Sequence, residues 1–152
     1  MAEYNITLDL SGGWEKEEST YTEFDGTEVT HIECHLPDDE AQKDLAVVDI
    51  YSGKMPSDTT AADEALANYA DIVGFDDSDP EDFDPITEWP FAGKKAYGFE
   101  ALCEDESPMR LMCVELKKGL LCIMSICAET DEKLIETIEL VEKKLRCKAA
   151  EN

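Results

Sequence analysis

Basic residues are scarce in this chain: 13 Lys and Arg stand against 37 Asp and Glu among 152 residues, a formal net charge of -24. A surface of that sign repels phosphate backbones and anionic headgroups, which argues against nucleic acid and against membrane surfaces as partners. Histidine is scarcer still, at two. Any Cys-His or Ser-His catalytic pair must therefore use His31 or His35, and no G-x-S-x-G elbow accompanies them. Glycine-rich phosphate loops are missing as well, because Ser11-Gly12-Gly13 is too short for a P-loop or a dinucleotide fingerprint. No apolar run reaches the length of about 18 residues that a membrane-spanning helix needs. Met1-Ala2-Glu3-Tyr4-Asn5 has neither the basic start nor the apolar stretch of a signal peptide. The expectation from these absences is a cytoplasmic, non-enzymatic protein with no cofactor and no metal.

No two of the six cysteines are spaced as C-x-x-C, and Cys103, Cys113, Cys122 and Cys127 fall within apolar strand patterns. They read as small buried hydrophobes of a reduced compartment. An even count also permits a disulfide framework, whose connectivity the sequence does not give.

The negative charge is unevenly placed. Residues 1 to 93 carry 3 Lys and Arg against 25 Asp and Glu, whereas residues 94 to 152 carry 10 against 12. Chain length fits one domain over residues 1–152, enough to bury about 68 to 70% of its unfolded surface without staples.

From Ala96 to Cys103, Tyr97, Phe99, Ala101 and Cys103 alternate with Gly98, Glu100 and Leu102, the period of a half-buried strand. Asp105-Glu106-Ser107-Pro108 supplies turn formers before a second strand in which Met112, Val114 and Leu116 alternate with Leu111, Cys113 and Glu115. After Lys117-Lys118-Gly119, the segment Leu120 to Cys127 is apolar on both faces, as a central covered strand requires. Thr130 then stands at an N-cap, Asp131 and Glu132 in a first turn, and Leu134, Ile138, Val141 and Leu145 at helical spacing. Lys143, Lys144, Arg146 and Lys148 are expected to close that helix.

Upstream, Tyr4 to Leu10 alternates as a strand, and Glu15 to Glu18 reads as a solvated run. Thr20–Phe24 and Glu28–Leu36 form a hairpin about Asp25-Gly26. Pro37-Asp38-Asp39-Glu40 is expected to break the chain before a strand over Leu45–Tyr51, the whole forming an antiparallel meander. Thr60, with Asp63 and Glu64 behind it, opens a helix whose Ala62, Leu66, Tyr69, Ala70 and Val73 share a face, and Gly74 ends it. Residues 75–93 form a long acidic loop, a length that in compact domains goes with function or disorder.

Two constellations suggest metals. His31-Ile32-Glu33-Cys34-His35 has the order H-x-E-x-H, neither HExxH nor HxxEH. On a strand its histidines stand about 13 Å apart, too far to share one zinc at about 2 Å each. A polar, solvent-facing sheet edge is the expectation there. Asp77, Asp79, Glu81 and Glu88 fall at calcium-loop positions, but the position that needs Gly is Asp82, and Trp89-Pro90 follows instead of a helix. An acidic solvated loop is expected. Asp77, Asp79, Glu81, Asp82, Phe83 and Trp89 make the candidate contact patch for a partner, mixing aromatic and acidic groups.

The N-terminal meander, the helix over 60–73, the long loop, then Phe91-Ala92-Gly93-Lys94-Lys95-Ala96-Tyr97-Gly98-Phe99-Glu100 leading into two more strands and a helix ending Val141-Glu142-Lys143-Lys144-Leu145-Arg146, together resemble the Mog/PsbP-like fold. The resemblance covers most of the chain and is architectural. It implies a central antiparallel sheet sandwiched by helices, and non-enzymatic relatives: GTPase-binding factors, photosystem subunits, secretion-effector chaperones and uncharacterised bacterial domains. No functional residue transfers with it.

The expected fold class is therefore α+β, a mostly antiparallel sheet of six to seven strands with helices packed on it. The expected function is an interaction or chaperone-like domain that binds a protein partner, a basic one where charge guides the choice, through its acidic N-terminal portion. The competing expectation is a small-molecule or cation-binding domain that uses the loop at 75–93.

Overall fold

The segment that is apolar on both faces lies in the middle of a seven-stranded sheet. The computed structural model describes residues 4–24, 26–38, 40, 43–56, 58–74, 85–103 and 106–149. In chain order the elements are β1 (Tyr4–Thr7), β2 (Glu15–Thr22), β3 (Glu28–Asp38), β4 (Lys43–Lys54), α1 (Ala61–Ile72), β5 (Thr87–Phe91), β6 (Lys94–Leu102), β7 (Pro108–Lys117), β8 (Leu120–Ala128), α2 (Asp131–Lys144) and β9 (Arg146–Ala149). The large sheet runs β2-β3-β4-β8-β7-β6-β5, every neighbouring pair antiparallel. Two runs of consecutive strands thus meet where β4 pairs with β8, with Val48 opposite Ile126 and Ile50 opposite Met124.

Strand alternation sorts the side chains into two clusters. On one face, Ile32, Cys34, Ala46, Val48, Ile50, Met112, Val114, Cys122, Met124 and Ile126 pack with Leu134, Ile138 and Val141 of α2. Thr130 caps that helix by accepting the Lys133 N–H. Residues of opposite parity, Phe99, Met109, Leu111, Cys113 and Leu121, pack with Ala61 and Ala65 of α1. The expected capping box is formed: the Thr60 hydroxyl accepts from Asp63 N, and the Asp63 carboxylate accepts from Thr60 N.

Several expectations change. The first strand leaves the meander and pairs with β9 in a separate two-stranded sheet, Tyr4 opposite Ala149 and Ile6 opposite Cys147. Arg146 and Lys148 accordingly belong to β9, because the helix ends at Lys144 and Leu145 turns extended, with φ -67 and ψ 130. Glu15 to Glu18 is solvated, as expected, yet it lies in β2, every residue of which is exposed. Pro37 does not end β3; a register shift between Leu36 and Pro37 carries the strand on to Asp38. The buried residues of α1 are Ala61 and Ala65, with Tyr69 partly buried beside them, while Leu66 and Val73 are exposed.

The expected loop over 75–93 holds a strand, β5, at the sheet edge. Pro90 sits within it, and proline is tolerated on an edge because no further strand needs its missing N–H. Phe91 pairs with Lys94 across Ala92 and Gly93, both at positive φ (51 and 79), the two-residue turn that suits strand twist. Glu142 of α2 holds that turn by accepting the Ala92 N–H at 2.7 Å. Among the described residues, no helix is long and apolar enough to cross a membrane.

Candidate functional site

Among the described residues, the cluster under α1 contains no side chain of β2, β3 or β4. On that same face these three strands present mostly polar groups, with Val29 and Val47 as apolar members. The period of two puts His31, Glu33 and His35 of β3 on one side of the sheet, with Ile32 and Cys34 buried on the other. The β3–β4 register sets Tyr51 opposite His31 and Asp49 opposite Glu33. The β2–β3 register places Glu15, Glu17 and Ser19 beside His35, Glu33 and His31.

The side chains connect. His31 Nε2 contacts Asp49 Oδ1 and lies 4.0 Å from Glu33 Oε2, and its ring stacks on Tyr51 with centroids 4.2 Å apart and planes 2° from parallel. His35 Nε2 contacts Glu33 Oε1, and His35 Nδ1 is 2.9 Å from Asp44 Oδ2. With both ring nitrogens facing carboxylates, His35 has its pKa raised above 6.5, chiefly by the hydrogen bond to Asp44; burial works against this and Glu33 adds to it. Burial, and then the Asp49 charge, raises the Tyr51 phenol above its ordinary value.

The polar reading of H-x-E-x-H holds, but β3 is one strand in from the edge and its polar side chains are half-buried. The two histidines do not converge on one point. Instead His31, Glu33 and Asp49 offer three ligand atoms within 4.8 Å of one another, a donor set suited to a borderline divalent ion. Sequence spacing ruled out sharing an ion between His31 and His35 and offered His31 no other partner, since Asp49 arrives only through the hairpin register.

Of the candidate contact residues, Asp77, Asp79, Glu81, Asp82 and Phe83 lie outside the described residues. Trp89 stands on β5, partly buried against the α2-side cluster, with the Arg110 guanidinium 4.2 Å above its ring. Arg110 is also held 3.1 Å from Glu100 Oε2. The ring is thus engaged within the fold, away from the polar half-face of β2–β4.

The fold and site define the class of molecule: an α+β domain with a seven-stranded antiparallel sheet and two helices. No protein-family model matches the chain, and no curated protein is similar to it. A solved crystal structure from Bacteroides thetaiotaomicron VPI-5482 is similar at 9% identity and a TM-score of 0.49, over 99% of this chain and 49% of that one. The chain thus spans about half the length of that structure. Likeness at this level assigns neither activity nor partner.

Proposed function

We propose that this is a non-catalytic, cytoplasmic interaction domain of Mog/PsbP-like α/β/α layering, which binds a basic extended segment of a protein partner on the polar half-face of β2, β3 and β4. The observation that carries the reading is the half-sheet left uncovered by α1, with its acidic lining. Glu15, Glu17, Glu33 and Asp49 stand on that face, and Tyr21 and Tyr51 are 45% and 38% exposed. Lysine and arginine side chains are matched by such carboxylates and by the faces of such rings. Among the described residues, strand β2 is the unpaired edge of the sheet and its eight residues are all exposed, a template on which an extended peptide adds a strand. The layering is supported by α2 packing with Ile50 and Met124, and α1 with residues of opposite parity.

The test is binding of an extended Lys- and Arg-bearing peptide, followed by fluorescence anisotropy at low and high salt. Affinity should fall as salt rises and should fall again when Glu17 and Glu33 are both replaced by Lys. Binding indifferent to both changes refutes the proposal.

A second reading rests on a different observation, the convergence of His31, Glu33 and Asp49. In it, one divalent transition ion bridges β3 and β4. Equilibrium dialysis with zinc decides: one zinc per chain, lost in His31→Ala, supports this reading, and equal zinc in both proteins removes it.

A further inference from the structure

Two cysteines that sequence spacing kept apart meet at the end of the sheet. Cys103 follows β6 and opens the turn into β7, its N–H donating to Ser107 O and its carbonyl accepting from Glu106 N. Cys127 lies on β8 opposite Met109 of β7, which itself stands opposite Ala101 of β6. Both thiols are on the α1 side of the sheet, and their Sγ atoms are 3.1 Å apart. Both line an open cavity of 680 Å³, whose wall includes Val47, Asp44, Glu106 and Glu129. The other cysteines are placed differently: Cys34, Cys113 and Cys122 are buried, and Cys147 packs against the α2-side cluster.

From this juxtaposition we infer that Cys103 and Cys127 form a reversible dithiol–disulfide site, which small disulfides reach through the cavity. This goes beyond the proposed partner binding and does not depend on it. One thiolate of the pair attacks a sulfur of the incoming disulfide, breaks its S–S bond and expels half of it as a thiolate. The second cysteine's thiolate then attacks the Sγ of the first, closing the Cys103–Cys127 bond and expelling the other half as a thiolate. The pair loses two electrons, the small disulfide gains them, and the two thiol protons pass to the released thiols. Closure needs the sulfurs to approach by only about 1 Å, to a bond length of about 2.0 Å. The carboxylates of the wall select among oxidants, favouring a cationic disulfide such as cystamine over the anionic oxidised glutathione.

The experiment uses the full reduced chain with one equivalent of cystamine or of oxidised glutathione. Thiols are counted after denaturation, and the tryptic digest is mapped without reduction. The expected product is lighter by two hydrogens, keeps four of the six thiols, and joins the peptide 96–110 to the peptide 119–133 through Cys103 and Cys127. It forms faster with cystamine at low salt, and dithiothreitol restores all six thiols. Cys127→Ser should instead carry a stable cystamine adduct on Cys103, and Cys147→Ser should behave as the parent does. Six retained thiols, a mixed adduct without the internal bond, or a bond through any other cysteine would overturn the inference. The digest of the parent protein decides this even where a variant fails to fold, with fragmentation of the peptide 119–133 between Cys122 and Cys127 showing which of the two is bonded.

Discussion

Single residues carry unequal weight in this fold, and two kinds stand out. Gly98 is the first: a Cβ built there would lie 1.7 Å from the Leu111 carbonyl oxygen and 2.8 Å from its carbon, backbone atoms of the neighbouring strand. No rotamer relieves that clash, so β6 and β7 must separate. Gly98→Ala should be among the most destabilising substitutions, costing more than about 3 kcal/mol by denaturant unfolding, whereas Gly12→Ala, with nothing nearby, should cost only its backbone strain. Buried thiols are the second kind. Burial pushes Cys113 and Cys122 from 9.0 up to about 12. In the unfolded chain each releases its proton near pH 9, while in the folded chain each keeps it until about 12. Their stabilisation is therefore complete below pH 9 and drains away as pH climbs from 9 towards 12. Urea midpoints over that range should fall less steeply in Cys113→Ala than in the parent. As for the site, His31, Glu33 and His35 were legible as one polar strand face from alternation alone. Asp49 and Tyr51 were not, because their positions depend on a β3–β4 link with a register shift after Leu36, which no turn motif announces.

Elements were legible where one period dominates. The apolar run of β8 marked a central strand, and it is the fourth of seven. Cutting Met124, fully buried between β4 and β7, to alanine should cost about 2 to 5 kcal/mol, measured as the shift in urea unfolding. The α2 stripe and both threonine caps were equally plain. For α1 the larger apolar side chains misled: the helix approaches the sheet through Ala61 and Ala65, small enough for close contact, and Tyr69 meets Phe99 edge-on at 5.2 Å. Leu66→Ala should therefore change stability by less than about 0.5 kcal/mol, while Thr60→Ala, which removes the cap, should cost about 1 kcal/mol. Strand β5 escaped notice because Pro90 and an Ala-Gly turn resemble loop chemistry. The turn is held by Glu142, a contact 50 residues away that no local pattern contains.

For the whole molecule, a charge of -24 opposes compaction. Sodium chloride at about 1 M, where charges screen one another beyond about 3 Å, should raise the melting temperature, and a fall would show that local ion pairs outweigh the net repulsion. The pairing of β1 with β9 works at the same scale. It sets Tyr4 beside Ala149, with Ile6, Leu8 and Leu10 buried over the α2 side of the large sheet. The first and last strands thus form a clasp at a single spot. A circular permutant joined there by a short linker and reopened at Gly12-Gly13 would turn that clasp into an ordinary hairpin, keep the hydrogen-bonding order of the large sheet, and melt close to the parent.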